Sequence, residues 1–172
     1  PGESYTISDS VCRGRQRVNY PKCNVCLEKV EPGGFAQSHA EPKLSINIFK
    51  SYDIRGKYPS ELNDTTAHKI GTSIALFFRE KNPDVKNIVV GRDMRLSSKS
   101  LANALIEGLC TAGLNVINVG VVSSEMTYFA VGHYKYDGGV MVTASHNPAE
   151  YNGFKLCREQ AIPVSFETGI DR

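Results

Sequence analysis

A chain of 172 residues, 41% of them hydrophobic and 22% charged, is long enough for one domain with its own core plus appended structure. Twenty Lys and Arg against 18 Asp and Glu leave a net charge of +2, too near balance for the broad basic field that holds nucleic acid or an anionic membrane. Five cysteines are an odd number for a secreted disulfide framework, no apolar run approaches the ~20 residues of a membrane span, and the first residues lack a signal-peptide layout. A cytoplasmic protein is expected. The sequence opens at Pro1 without an initiator Met and stops at Arg172, so a fragment of a longer protein is also expected.

Residues 1–43 are polar, punctuated by Pro21, Pro32, Gly33, Gly34 and Pro42, and carry no sustained periodicity. They read as an irregular extension. Within it, Cys23 and Cys26 have the spacing of a zinc-gripping pair, which Cys12 and His39 would complete to a tetrahedral set. A zinc ribbon has two close pairs where this segment has one, so reduced thiols are the favoured expectation. Arg13, Arg15, Arg17 and Lys22 are offset by Glu3, Asp9, Glu28, Glu31 and Glu41, and no nucleic-acid contact is expected.

From Leu44 the pattern becomes a regular alternation. Ile46, Ile48 and Phe49 lead into a strand and turn over 52–56. Asp64 then caps a helix to about Lys81, with Ala67, Ile70, Ile74, Phe77 and Phe78 on one face. Ile88–Val90 is a short buried strand, followed by a polar turn at Gly91-Arg92-Asp93. Ser97 or Ser98 starts a second helix with Leu101, Leu105, Leu109 and Ala112 on one face and Gly113 as its C-terminal cap. A strand over 116–120 comes next. A third helix follows, capped by Ser123 or Ser124, with Met126, Phe129, Ala130 and His133 as its inward stripe. The strand 140–143 delivers the chain to Ala144–Pro148, and Asn152-Gly153 marks a turn before the strand 154–157.

Such alternation implies βαβ units. The expected fold is a three-layer α/β/α domain over 44–172 with a mixed, mostly parallel sheet. Ligands collect at loops beyond the carboxyl ends of strands in such sheets, which singles out 53–56, 91–96 and 143–148. A serine just past a buried strand, Ser145, stands on a rigid base. Its loop can turn backbone N–H groups toward an anion, while Asn147 is held extended by Pro148. Arg55 and Lys155 are the candidate cations for a phosphate there. Phe154 and Leu156 share one strand face, leaving Lys155 on the other, directed at the cleft as a proton-transfer residue should be. The same loop is compatible with a plain surface turn in which Ser145 and Asn147 bond only local backbone. A Ser–His hydrolase reading of Ser145 and His146 is weak: side chains of adjacent residues are expected to diverge, and no G-x-S-x-G elbow is present.

Thr143-Ala144-Ser145-His146-Asn147-Pro148, followed by Tyr151-Asn152-Gly153-Phe154-Lys155, resembles the signature of the α-D-phosphohexomutases. Phe49–Gly56 and Val90–Ser97 agree with it in order and spacing. The forms Tyr-Asp-Ile-Arg-Gly and Thr-Ala-Ser-His-Asn-Pro are more similar to the phosphomannomutase/phosphoglucomutase branch than to the phosphoglucosamine mutases. The resemblance implies a first domain of such an enzyme, which interconverts hexose 1-phosphate and hexose 6-phosphate of mannose or glucose. In it Ser145 is phosphorylated and passes its phosphoryl group to the sugar phosphate, forming a bisphosphate that reorients and returns the other phosphate. Hexose 1,6-bisphosphate is the implied activator.

By the same resemblance the phosphate on Ser145 supplies one Mg²⁺ ligand and Lys155 acts in proton transfer. Arg55 lies beside the phosphoserine, His146 assists in orientation or proton transfer, and Asn147 belongs to the phosphate site. Arg92 and Asp93 are expected to organise the adjoining loop. The remaining Mg²⁺ ligands are implied to lie in a second domain, with sugar choice and grip on the distal phosphate in a third and fourth, all packing on this one. No Asp-x-Asp-x-Asp run occurs here. The fragment is therefore expected to be inactive alone. A non-catalytic phosphosugar-binding module and a metal-tethered interaction module built on 1–45 are the rival readings.

Overall fold

A computed structural model describes residues 46–170. Five strands, β1 (Ile54–Lys57), β2 (Asn87–Arg92), β3 (Asn115–Val121), β4 (Gly138–Val142) and β5 (Tyr151–Arg158), alternate with three helices, α1 (Asp64–Lys81), α2 (Ser98–Thr111) and α3 (Ser124–His133). Cys12, Cys23, Cys26 and His39 lie outside the described residues. No helix among these is long and apolar enough to cross a membrane.

The strands form one sheet in the order β1-β5-β4-β2-β3. β4, β2 and β3 are parallel, whereas β5 runs antiparallel to both β4 and β1. The reversal has a local cause: β4 and β5 are joined by a short loop, and a parallel return needs a crossover of a dozen or more residues. The sheet is mixed, with its parallel part confined to the middle and one edge.

Helices α1 and α2 cover one face. Ile70, Ile74 and Phe78 of α1 and Leu101, Leu105 and Leu109 of α2 close over Ile88, Val90, Val140, Val142, Phe154 and Leu156. On the other face α3 packs Ala130 and Val131 against Val89 and Cys157. These are the expected three layers.

The N-cap of α1 is Asn63 rather than Asp64: its side chain accepts from the Thr66 amide at 3.0 Å, and Asp64 is the first helical residue. Helix α2 starts after Ser97 and closes with a Schellman pair, Gly113 N–H to Cys110 O (2.9 Å) and Leu114 N–H to Leu109 O (3.1 Å), with Gly113 at φ +84°.

Three further expectations are corrected. The inward residues of α3 are Thr127, Ala130 and Val131, while Met126 (58% exposed) and Phe129 (61%) face outward and Phe129 stacks on His133. The helix is apolar on both sides, so periodicity does not choose a face. Close approach to the sheet does, because a Cβ at Gly91 would stand 2.4 Å from Thr127 Oγ1. Strand β2 continues through Gly91 and Arg92 where a turn was expected, with a register shift between Val90 and Gly91. Asn152-Gly153 lies inside β5, not at a turn. Buried Asn152 donates to Ser97 Oγ (2.8 Å) and Ser98 Oγ (2.9 Å), tying the strand to the start of α2. Gly153 is required by β1, since a Cβ there would stand 2.1 Å from Ile54 O.

Candidate active site

The chain leaves β4 at Val142 and turns through a network centred on Asp93. The Asp93 N–H donates to Val142 O (3.0 Å), its Oδ2 accepts from Thr143 Oγ1 (2.8 Å), and its Oδ1 accepts from Ser98 Oγ and the Arg95 N–H. Thr143 Oγ1 in turn accepts from the Ser145 N–H at 2.9 Å. The chain therefore bends sharply, and Ser145 takes a left-handed backbone with φ +57°. A non-glycine residue held there stores of order 1 kcal/mol, which surrounding bonds must offset.

Those bonds come chiefly from Arg95. Its Nη1 donates to Pro148 O (2.8 Å) and Tyr151 O (3.2 Å), its Nη2 to Ser145 O (2.9 Å) and Asn147 O (2.7 Å), and its Nε to Asp93 Oδ2 (3.2 Å). All five guanidinium N–H donors are used. Asn147 closes the turn by donating from Nδ2 to Ala144 O at 2.7 Å. Ser145 and His146 are left exposed on this frame. Contrary to the expectation that their side chains diverge, Ser145 Oγ lies 3.2 Å from His146 Nδ1, because the left-handed turn folds the two together.

Arg55 and Lys155 stand on the same face of the sheet. Arg55 pairs with Gly153 across β1 and β5, and Lys155 is two residues farther along β5. Buried Asp53 holds both: Lys155 Nζ is 3.3 Å from its Oδ2 and Arg55 Nε is 3.8 Å from its Oδ1. These three residues, with Phe49, Lys50, Ser51, Tyr52 and Phe166, line an open pocket of about 620 Å³. Gly153 O also accepts from the Thr143 N–H at 2.9 Å. Arg55, Gly153 and Thr143 thus form one row from β1 through β5 to the residue just past β4, spanning about 10 Å at two strand spacings. Among the described residues no hydrogen bond or ion pair joins Ser145 to Arg55 or Lys155. Arg92 donates from Nη1 to Asp93 O at 3.3 Å.

A hard cation such as Mg²⁺ takes several oxygen ligands. Asp53 and Asp93 are already committed to cations and hydroxyls, and no group of three or more His, Cys, Asp or Glu among the described residues is placed to share an ion. The described residues do not make a Mg²⁺ site by themselves. Burial against Ala130 and Val131 pushes the Cys157 thiol up to about 12, which favours its protonated, weakly nucleophilic form.

Sequence reasoning missed two residues. Arg95 and Asp53 both stand inside the motifs at 90–97 and 49–56, but nothing in their spacing tells a clamp from a solvated charge.

Residues 47–171 match the family model for the phosphoglucomutase/phosphomannomutase alpha/beta/alpha domain I. The chain belongs to this family. The domain is 49% identical over 125 residues to a phosphomannomutase of Vibrio cholerae, covering 73% of this chain and 27% of that protein. It is 47% identical over 125 residues to an Escherichia coli K12 phosphomannomutase, of which it spans 26%. The crystal structure of a phosphoglucomutase/phosphomannomutase family protein from Burkholderia thailandensis superposes with a TM-score of 0.63 at 38% identity, over 70% of this chain and 28% of that one. The chain thus spans about a quarter of the length of these relatives. Ser145, Arg95, Asp53, Arg55 and Lys155 all fall within the matched family domain.

Proposed function

We propose that this domain carries the phosphoryl-bearing serine of a cytoplasmic phosphohexomutase acting on mannose or glucose phosphates. The carrying observation is an exposed serine on a tightly clamped loop that leaves the sheet from Thr143, in line with Arg55, which Asp53 tethers together with Lys155. Phosphoryl transfer asks a protein mainly for positioning and charge neutralisation. In the proposed step the bond from Ser145 Oγ to phosphorus breaks as a sugar hydroxyl oxygen bonds to phosphorus. Lys155 takes the hydroxyl proton as it passes one of its own to the Asp53 carboxylate 3.3 Å away, and the departing Ser145 Oγ takes a proton from His146 at 3.2 Å. Ser145 is rephosphorylated when the bisphosphate returns its other phosphoryl group by the reverse transfers. Arg55 balances the phosphate charge, and His146 and Asn147 hold the phosphate site. Mg²⁺, when bound, would draw charge from the phosphoryl oxygens, with its remaining ligands supplied from other domains of the longer enzyme. Hexose 1,6-bisphosphate would recharge Ser145.

Peptide mapping of the protein from its source, around Ser145, tests this reading. Phosphate on Ser145 in a longer chain supports it; an unmodified Ser145 in a chain ending near Arg172 favours a phosphosugar-binding module. Residues 1–172 alone are expected to give no mutase turnover with glucose 1-phosphate or mannose 1-phosphate, even with glucose 1,6-bisphosphate present. Measurable turnover would overturn that part.

A further inference from the structure

The five bonds of Arg95 have a consequence for the anion site itself. We infer that Arg95 is a positioning residue that turns the backbone N–H of His146 outward, to meet a phosphate carried on Ser145. The inference rests on the phosphoserine reading above.

The only cis peptide among the described residues is Tyr58–Pro59, so the Ser145–His146 peptide is trans. In a trans peptide the C=O and the following N–H point in opposite directions. Arg95 Nη2 holds the Ser145 carbonyl at 2.9 Å on its own side of the loop. The His146 N–H is therefore aimed away from the guanidinium, toward the exposed side, and it has no partner among the described hydrogen bonds. The left-handed backbone at Ser145 supplies one half of the right-handed/left-handed pair that turns amides toward an anion. The neighbouring Ser145 N–H is already taken by Thr143 Oγ1, which leaves the His146 amide as the backbone donor beside Ser145 Oγ. An N–H to a charged phosphate oxygen is a charge-assisted bond, shorter and stronger than a neutral one.

Lysine cannot replace this function. It has three donors on a single point, whereas the loop takes four carbonyl bonds and one carboxylate bond from a planar fork. An arginine that merely stabilised the domain would affect unfolding but not the environment of one amide proton.

The test uses residues 1–172 with phosphoserine genetically encoded at position 145, followed by amide NMR through the second ionisation of the phosphate, near pH 6. The His146 amide proton is expected to move downfield as the phosphate becomes a dianion, and His146→Ala, which keeps the amide and removes the ring, is expected to retain that movement. In Arg95→Lys, most of the movement should vanish while core amides such as Val89 and Val140 hold their positions. Two results overturn the inference: a wild-type His146 amide that ignores the phosphate titration, or an Arg95→Lys protein that shows the full shift. If Arg95→Lys fails to fold, Arg95→Gln takes its place under the same two criteria. Because the phosphoserine is supplied by genetic encoding, failure here is separate from finding Ser145 unmodified in the native protein, which would sink the functional reading instead.

Discussion

Lys155 Nζ lies 3.3 Å from the buried carboxylate of Asp53, so the pocket's lysine is paired before any ligand arrives. The same carboxylate reaches Arg55 at 3.8 Å. Removing it leaves two cations facing each other without a counter-charge. Asp53→Asn is expected to cost about 1.5–3 kcal/mol in urea unfolding, the range for a bond to a charged group. Added inorganic phosphate should recover part of that loss by binding the folded state, and a variant as stable as wild type without phosphate would show that the pairing contributes nothing.

The helix pair on the opposite face leaves no room for a methyl group. A Cβ at Gly108 would stand 2.2 Å from His68 O, and one at Gly71 would stand 2.4 Å from Leu105 O. Both neighbours are backbone and cannot step aside. Overpacking costs roughly 1–3 kcal/mol, offset by the ~1 kcal/mol that alanine gains over glycine in a helix interior. Backbone contacts this close put the cost at the upper end, so each Gly→Ala change should lower the urea midpoint with the slope unchanged, a net loss of up to about 2 kcal/mol.

Asn152 is fully buried and bonds two serine hydroxyls at the start of α2, while its own Oδ1 accepts from the Gly153 N–H at 2.8 Å. Asn152→Leu would strand these partners in the core. A destabilisation of about 1–3 kcal/mol is expected, read by thermal or urea unfolding. Asn152→Asp should also destabilise, because a buried carboxylate loses the two amide donations.

Cys157 has no exposed surface, and burial raises its thiol from 9.0 to about 12. Between those values the unfolded chain has lost the proton that the folded chain keeps. The folded state therefore binds more protons, and stability falls as pH rises through this window. Tyr128, raised by burial as well, adds to the same slope. Cys157→Ala is expected to flatten the fall in unfolding midpoint above pH 9, and the native protein should resist thiol labelling at pH 8 until denatured. Rapid labelling of Cys157 in the native state would contradict this.

Much of the fold was legible in the sequence because the signals are local. Ile70, Ile74 and Phe78 repeat at helical spacing, Ile88–Val90 is a short β-branched run, and Gly113 ends α2 where only a left-handed residue closes the turn. The ordered motifs at 49–56, 90–97 and 143–155 likewise pointed to Ser145, Arg55 and Lys155 and to the family the chain belongs to. Tertiary structure decided the rest, because those choices depend on what each residue meets across space. The face of α3 was set by the approach of Thr127 to Gly91, and Asn152-Gly153 was kept in a strand by Ser97, Ser98 and the Ile54 carbonyl. Arg95 and Asp53 look like ordinary surface charges along the chain. Only folding brings four carbonyls within reach of one guanidinium, and two cations within reach of one buried carboxylate.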